Sequence, residues 1–172
     1  MDGTRFFCRK TNSSVNATTS KKIKVTQRDP NVNKQYKDGY APLMFAAVLG
    51  KLVKVKRLIS LGANVNAADN NGFTVLHLAV QKGHVDIAAL LLDNDADIEA
   101  RDKNGNTPLN HAADNGQLSC VALLLDCGAN IDAVCNEGYT ALNLAAQEGH
   151  LAVVELLLDR GAKIDVGSDR CA

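Results

Sequence analysis

Three of the five cysteines, Cys120, Cys127 and Cys135, fall within sixteen residues with His111 close by, and thiolates with an imidazole are the usual ligands of structural zinc. The spacing argues against that chemistry. No Cys-x-x-Cys pair occurs, and seven helical residues would hold Cys120 and Cys127 about 10 Å apart along an axis, whereas zinc draws each thiolate to about 2.3 Å. Cys120 is expected as a small core residue and Cys127 and Cys135 at exposed turns. An odd number of thiols suits a reducing compartment. His77, His84, His111 and His150 bring no nucleophile together with a base and an orienting group. Neither a Gly-x-x-x-x-Gly-Lys phosphate loop nor a dinucleotide fingerprint is present. The expectation is a chain with no catalytic residues, no metal and no cofactor.

The elements that position these side chains follow a strict repeat. Gly39, Gly72, Gly105 and Gly138 stand 33 residues apart, as do Gly50, Gly83, Gly116 and Gly149. Leu43, Leu76, Leu109 and Leu142 keep the same interval, and so do Ala46, Ala79, Ala112 and Ala145. A further series, Gly62, Gly128 and Gly161, is interrupted by Asp95. Units this short must stack on copies of themselves to bury a core, and roughly three or more are needed. In the third unit Thr107 and Pro108 supply an N-cap and a first helical residue. That helix is expected to stop at Asn115-Gly116. Leu118, Val121, Ala122, Leu124 and Leu125 then recur at helical spacing up to Gly128. A turn-rich segment containing Ile131 and Asn136-Glu137-Gly138 follows. The histidines belong to this architecture, since His84 and His150 each open a second helix after a glycine.

Thr74-Val75-Leu76-His77-Leu78-Ala79, Thr107-Pro108-Leu109-Asn110-His111-Ala112 and Thr140-Ala141-Leu142-Asn143-Leu144-Ala145 are variants of one signature, with Ala41-Pro42-Leu43-Met44-Phe45-Ala46 a worn fourth. With the 33-residue period, this resembles the ankyrin repeat over about three quarters of the chain. The resemblance implies an all-α solenoid of helix-turn-helix units with β-turn fingers, divided at about 36–68, 69–101, 102–134 and 135–166. It also implies that the signature histidine ties neighbouring fingers together. Only His77 retains that residue; Asn110 and Asn143 are expected to substitute for it and Met44 is not. The first unit carries Lys51, Lys54, Lys56 and Arg57 on its second helix, as a capping unit with one wet face should. The fourth, with Leu151, Val153, Val154, Leu156, Leu157 and Leu158, reads as internal. Residues 167–172 enter another register, with Cys171 at the place of a fifth glycine. A fragment of a longer array, or weak self-association of an otherwise monomeric chain through this end, is expected.

Apolar residues make up 46% of the chain and charged residues 22%, with no run near the roughly 18 apolar residues of a membrane span. The first ten residues lack a secretory apolar segment, so an intracellular chain is expected, cytoplasmic or nuclear. The acceptor tripeptides at Asn12 and Asn16 are then idle. Residues 1–35 are expected as a disordered basic arm, because eight of residues 11–20 are Ser, Thr or Asn. Lys21-Lys22-Ile23-Lys24 lacks aromatic residues for bases to stack on. The zero net charge hides a dipole: residues 1–36 carry +6, residues 37–68 carry +4 and residues 69–172 carry −10.

The resemblance places contacts with a partner protein on the finger tips and first-helix faces. By register these are Tyr40, Asn71, Phe73, Lys103, Asn104, Asn106, Glu137 and Tyr139 on the fingers. On the first helices they are Val48, Leu49, Gln81, Lys82, Asp114, Asn115, Gln147 and Glu148. Tyr40, Phe73 and Tyr139 share one register as aromatic anchors of the kind interfaces favour. The expected function is a protein-binding scaffold or adaptor. The alternative is a regulatory or targeting module whose basic arm contacts nucleic acid or an acidic membrane, or a piece of a larger multidomain protein. Asn66, in the finger after Leu58, also resembles the asparagine that hydroxylases modify in ankyrin proteins, although Asn64 stands where an acidic residue is usual.

Overall fold

The computed structural model describes residues 31–166. Residues 1–30 of the expected arm, including the lysine patch, and the tail expected at 167–172 lie outside the described residues. Eight helices follow in order: α1 (Pro42–Val48), α2 (Leu52–Ser60), α3 (Val75–Gln81), α4 (Val85–Leu92), α5 (Pro108–Asp114), α6 (Leu118–Asp126), α7 (Ala141–Gln147) and α8 (Leu151–Asp159). Among the described residues no strand forms, and the only isolated bridge joins Ala68 to Thr74. The fold is the all-α stack that the period predicts.

Each first helix begins where its cap dictates. Thr74, Thr107 and Thr140 accept the N–H of His77, Asn110 and Asn143 on their hydroxyls, at 3.4, 3.3 and 3.3 Å. The same three residues return the favour, accepting the backbone N–H of their threonines at 3.1, 3.0 and 2.9 Å. Two donors that a helix start leaves unsatisfied are thereby paired. In α1 Ala41 has no hydroxyl, and the Met44 sulfur accepts the Ala41 N–H at 3.4 Å. The first helices α1, α3, α5 and α7 stack as one layer and α2, α4, α6 and α8 as a second. Leu43, Leu76, Leu109 and Leu142 are buried between them with the four signature alanines. Each buried leucine contributes about 1.5–3 kcal/mol, and alanine lets the layers approach closely.

The glycine after each first helix has a steric reason in two of the units. Gly50 and Gly116 both have φ +65°, and a Cβ there would come within 2.8 Å of the His84 ring and 2.7 Å of the His150 ring. Those rings lie close because His84 Nε2 meets the Val48 carbonyl at 3.1 Å and His150 Nε2 meets the Asp114 carbonyl at 3.0 Å. Each histidine thus ties its own unit to the end of the preceding first helix, the architectural role expected of it. Asp95, in the glycine series of the second unit, has φ 62°.

Successive units are also stitched by two polar ladders. At the finger tips the N–H groups of Asn70, Lys103 and Asn136 donate to the carbonyls of Asp38, Asn71 and Asn104, each at 2.9 Å. In the loops after the second helices, Asn33, Asn66, Glu99 and Asp132 accept the N–H of Asn64, Asp97, Asn130 and Lys163 on their side chains, at 2.8, 2.8, 2.7 and 3.0 Å. Asn66 also donates its amide to the Asp95 carbonyl. Both ends of that side chain are therefore engaged, which opposes its modification in the folded chain.

Three expectations need correction. Residues 31–35 were placed in the arm, yet Val32 is only 6% exposed and Asn33 bonds Gly62 and Asn64. The fold therefore begins at or before Asn31. Cys135, expected at an exposed turn, is 6% exposed: it shares the finger register of the buried Asp102, with its N–H bonded to the Tyr139 carbonyl. The capping face of the first unit is only partly wet. Lys51, Lys54, Lys56 and Arg57 are exposed, but Val53 and Leu49 on the same face are 83% and 65% exposed.

Candidate functional site

The finger tips form a row because the backbone ladder fixes their spacing. Asn71, Lys103, Asn104 and Glu137 are exposed along it. At the first-helix ends Lys82, Gln147 and Glu148 are exposed, and Gln81, Asp114 and Asn115 are half-buried. Two of the fingers are clamped from within. Asp69 Oδ1 accepts the N–H of Asn71 and Phe73, and Asp102 Oδ1 accepts the N–H of Asn104 and Asn106, all at 2.8–2.9 Å. Side chains at those tips are presented by a rigid backbone, which lowers the entropy lost on binding.

The expected aromatic anchors do not form one class. Tyr40, Phe73 and Tyr139 are all half-buried. Tyr40 packs on Phe45 at 5.2 Å between ring centroids, and burial, followed by the Asp69 and Asp38 carboxylates, pushes its hydroxyl above the ordinary 10.0. Phe73 packs on His111 at 4.7 Å and on His77 at 5.9 Å. Its ring supports the junction of the second and third units while remaining half-buried. Val48 is half-buried, with its carbonyl taken by His84. Leu49 opens onto a groove with Leu52, Val53, Leu58 and Leu61, at the end of the stack.

The cluster around Phe73 departs from the repeat, and sequence reading missed it. His111 occupies the register of Phe45, Leu78 and Leu144, and Asp102 that of Tyr36, Asp69 and Cys135. His111 Nε2 meets Asp102 Oδ2 at 2.8 Å, with both side chains buried. Asp102 is held below its ordinary 3.8: burial opposes this, but the His111 bond and the Asn106 and Asn104 N–H groups outweigh it. His77 lies 5.4 Å from His111 in an edge-on arrangement, and burial pushes it down to about 4. His77 is thus neutral at pH 7. Its Nδ1 accepts from Thr74, so Nε2 carries the proton and donates to the Asn106 carbonyl at 3.1 Å. Asn110 reaches the next finger similarly, donating to the Ala133 carbonyl at 3.4 Å. The expected substitution of asparagine for histidine therefore holds at Asn110. The signal that finds the cluster is a polar residue in an otherwise apolar column, at His111.

Beside this cluster, Asn106, Asn110, His111, Asp114 and Leu144 line a small cavity between the third and fourth units. It brings together two of the expected contact residues, Asn106 and Asp114. Among the described residues no group of three His, Cys, Asp or Glu side chains converges to hold a metal ion. Cys120 is buried, and that burial pushes its thiol up to about 11, leaving it unreactive. No described helix is long and apolar enough to cross a membrane.

Comparison with known families agrees with this geometry. A family model described as ankyrin repeats (3 copies) matches residues 13–102 and 99–168, opening ahead of the first unit of the glycine register. Comparison with the curated proteins found no match. Such repeats generally serve as protein-interaction modules and are typically non-catalytic. Capped helix pairs, stitched fingers and this match over most of the chain lead to one conclusion: the chain belongs to the ankyrin-repeat family.

Proposed function

We propose that this chain is a non-catalytic scaffold that holds a partner protein against its finger tips and first-helix ends. One observation carries the reading: positions that build the stack recur from unit to unit, whereas the exposed tips do not. One column reads leucine at 43, 76, 109 and 142, whereas the column at the tips reads Asp38, Asn71, Asn104 and Glu137 and the column at the helix ends reads Leu49, Lys82, Asn115 and Glu148. The Asp69 and Asp102 clamps hold the second and third tips rigid while side chains of differing charge occupy the row, which supports a surface shaped for a partner. Residues 69–166 carry a net charge of −10, which favours a basic segment on the partner and association that weakens with salt.

The test is parallel capture by the intact chain and by a Lys103→Glu, Glu137→Lys, Glu148→Lys variant. All three side chains are exposed, so the melting temperature should be unchanged. A protein retained by the intact chain and lost by the variant supports the reading. Equal retention by both places recognition elsewhere on the chain.

A further inference from the structure

The first unit presents large apolar side chains where its sister units carry polar or small ones. Leu49 stands in the register of Lys82, Asn115 and Glu148, and Val53 in that of Asp86, Ser119 and Ala152. With Leu52, Leu58 and Leu61 they floor an open groove edged by Lys51, Lys54 and Arg57. This is the end of the stack where a preceding unit would sit. The chain already behaves there as though one did. Asn31-Val32-Asn33 repeats Asn64-Val65-Asn66 at an interval of 33 residues. Asn33 donates to the Gly62 carbonyl at 3.1 Å and accepts the Asn64 N–H at 2.8 Å, and Asn66 makes the same pair of bonds to Asp95 and Asp97 at the same distances. Asn31–Asn33 is thus bonded as the closing loop of a further unit.

Two of the residues before it keep the register, whereas Lys22 falls in the buried column of Val55, Ala88 and Val121. Val25 falls in the column of Leu58, Leu91, Leu124 and Leu157, and Asp29 takes the glycine position that Asp95 takes in the second unit. The family match opens at residue 13. We propose that the segment 13–30 docks on the groove of Leu49 and Val53. Lys21, Lys22, Lys24 and Arg28 share the charge of Lys51, Lys54 and Arg57, so attraction between charges does not drive this docking. Apolar burial does, and salt, by screening the repulsion, strengthens it.

Hydrogen exchange on the full chain tests the proposal, beside a Leu49→Asp, Val53→Asp variant. Both side chains are exposed in the stack, so the variant keeps units two to four intact. Amides of residues 13–30 should exchange at least about tenfold slower than in an unstructured chain, and more slowly still as salt rises. The variant should lose that protection while amides of residues 75–126 stay unchanged. Unstructured exchange rates in both chains would overturn the proposal, as would equal protection in both, which would place the segment elsewhere. Protection of the groove that grows with protein concentration, alongside a doubled mass, would assign it to a second copy instead. If the variant proves unstable, removal of residues 1–30 gives the second reading. The shortened chain should bind an apolar dye that the full chain does not, and equal dye binding by the two would count against docking.

Discussion

The second and third fingers differ from the first and fourth although all four share one backbone period. The clamp position reads Asp69 and Asp102 in the middle pair and Tyr36 and Cys135 in the outer pair. In the middle, carboxylates accept finger N–H groups, and Phe73, His77, His111 and Asp102 pack into one junction. In the outer units most of the exposed large apolar side chains stand, Tyr36, Phe45, Leu49 and Val53 at one end and Leu151, Leu158 and Ile164 at the other, against Leu118 alone among the described residues of the middle pair. The period sets where each unit goes, and single departures from it decide how firmly neighbouring units hold.

The largest expected effect is at Asp102. Asp102→Ala should cost about 3 kcal/mol in denaturant unfolding, since it strands a buried imidazole and two N–H donors. Asp69→Ala, which loses only the clamp, should cost about 1 kcal/mol. Equal losses would deny the His111 pair any special role. Next is pH. His77 has an ordinary value of 6.5 and a folded value of about 4, so the unfolded chain takes up its proton first as pH falls. Stability is therefore full above pH 6.5 and declines toward pH 4, by roughly 3 kcal/mol from this group. His77→Asn, with a residue that the third and fourth units already use, should flatten that part of the pH profile. An unchanged slope would assign it to other groups.

Phe73→Ala should lower stability by about 2 kcal/mol through lost packing on His111, which separates it from Tyr139→Ala, expected to change stability by less than about 1 kcal/mol. Matching melting temperatures for the two would deny Phe73 that structural role. The smallest effect concerns the interrupted glycine series. Asp95 sits at φ 62°, and Asp95→Gly should stabilise by up to about 1 kcal/mol. A loss would mean that the Asp95 side chain holds the loop in a way glycine does not.

Much of this was legible in the sequence because repetition multiplies weak signals. Thr107-Pro108 alone suggests a helix start, but four aligned signatures with recurring glycines fix helix order and layer. What escaped was written once. His111 and Asp102 lie nine residues apart in one unit only, and their meeting depends on how the finger folds back over α5. Cys135 read as a turn residue because its segment is turn-rich, whereas its register with the buried Asp102 gave its burial. The Asn31-Val32-Asn33 duplication was in plain sight, but the signature register starts later and drew the boundary at residue 35.

The central claim is that recognition lies on the finger tips and first-helix ends. Hydrogen exchange of the chain with and without a captured partner tests it most directly. The account predicts slowed exchange at residues 71–73, 103–106 and 137–139 and little change at 93–99 and 126–132. Slowing confined to those second-helix loops, with the finger tips unaffected, would contradict it.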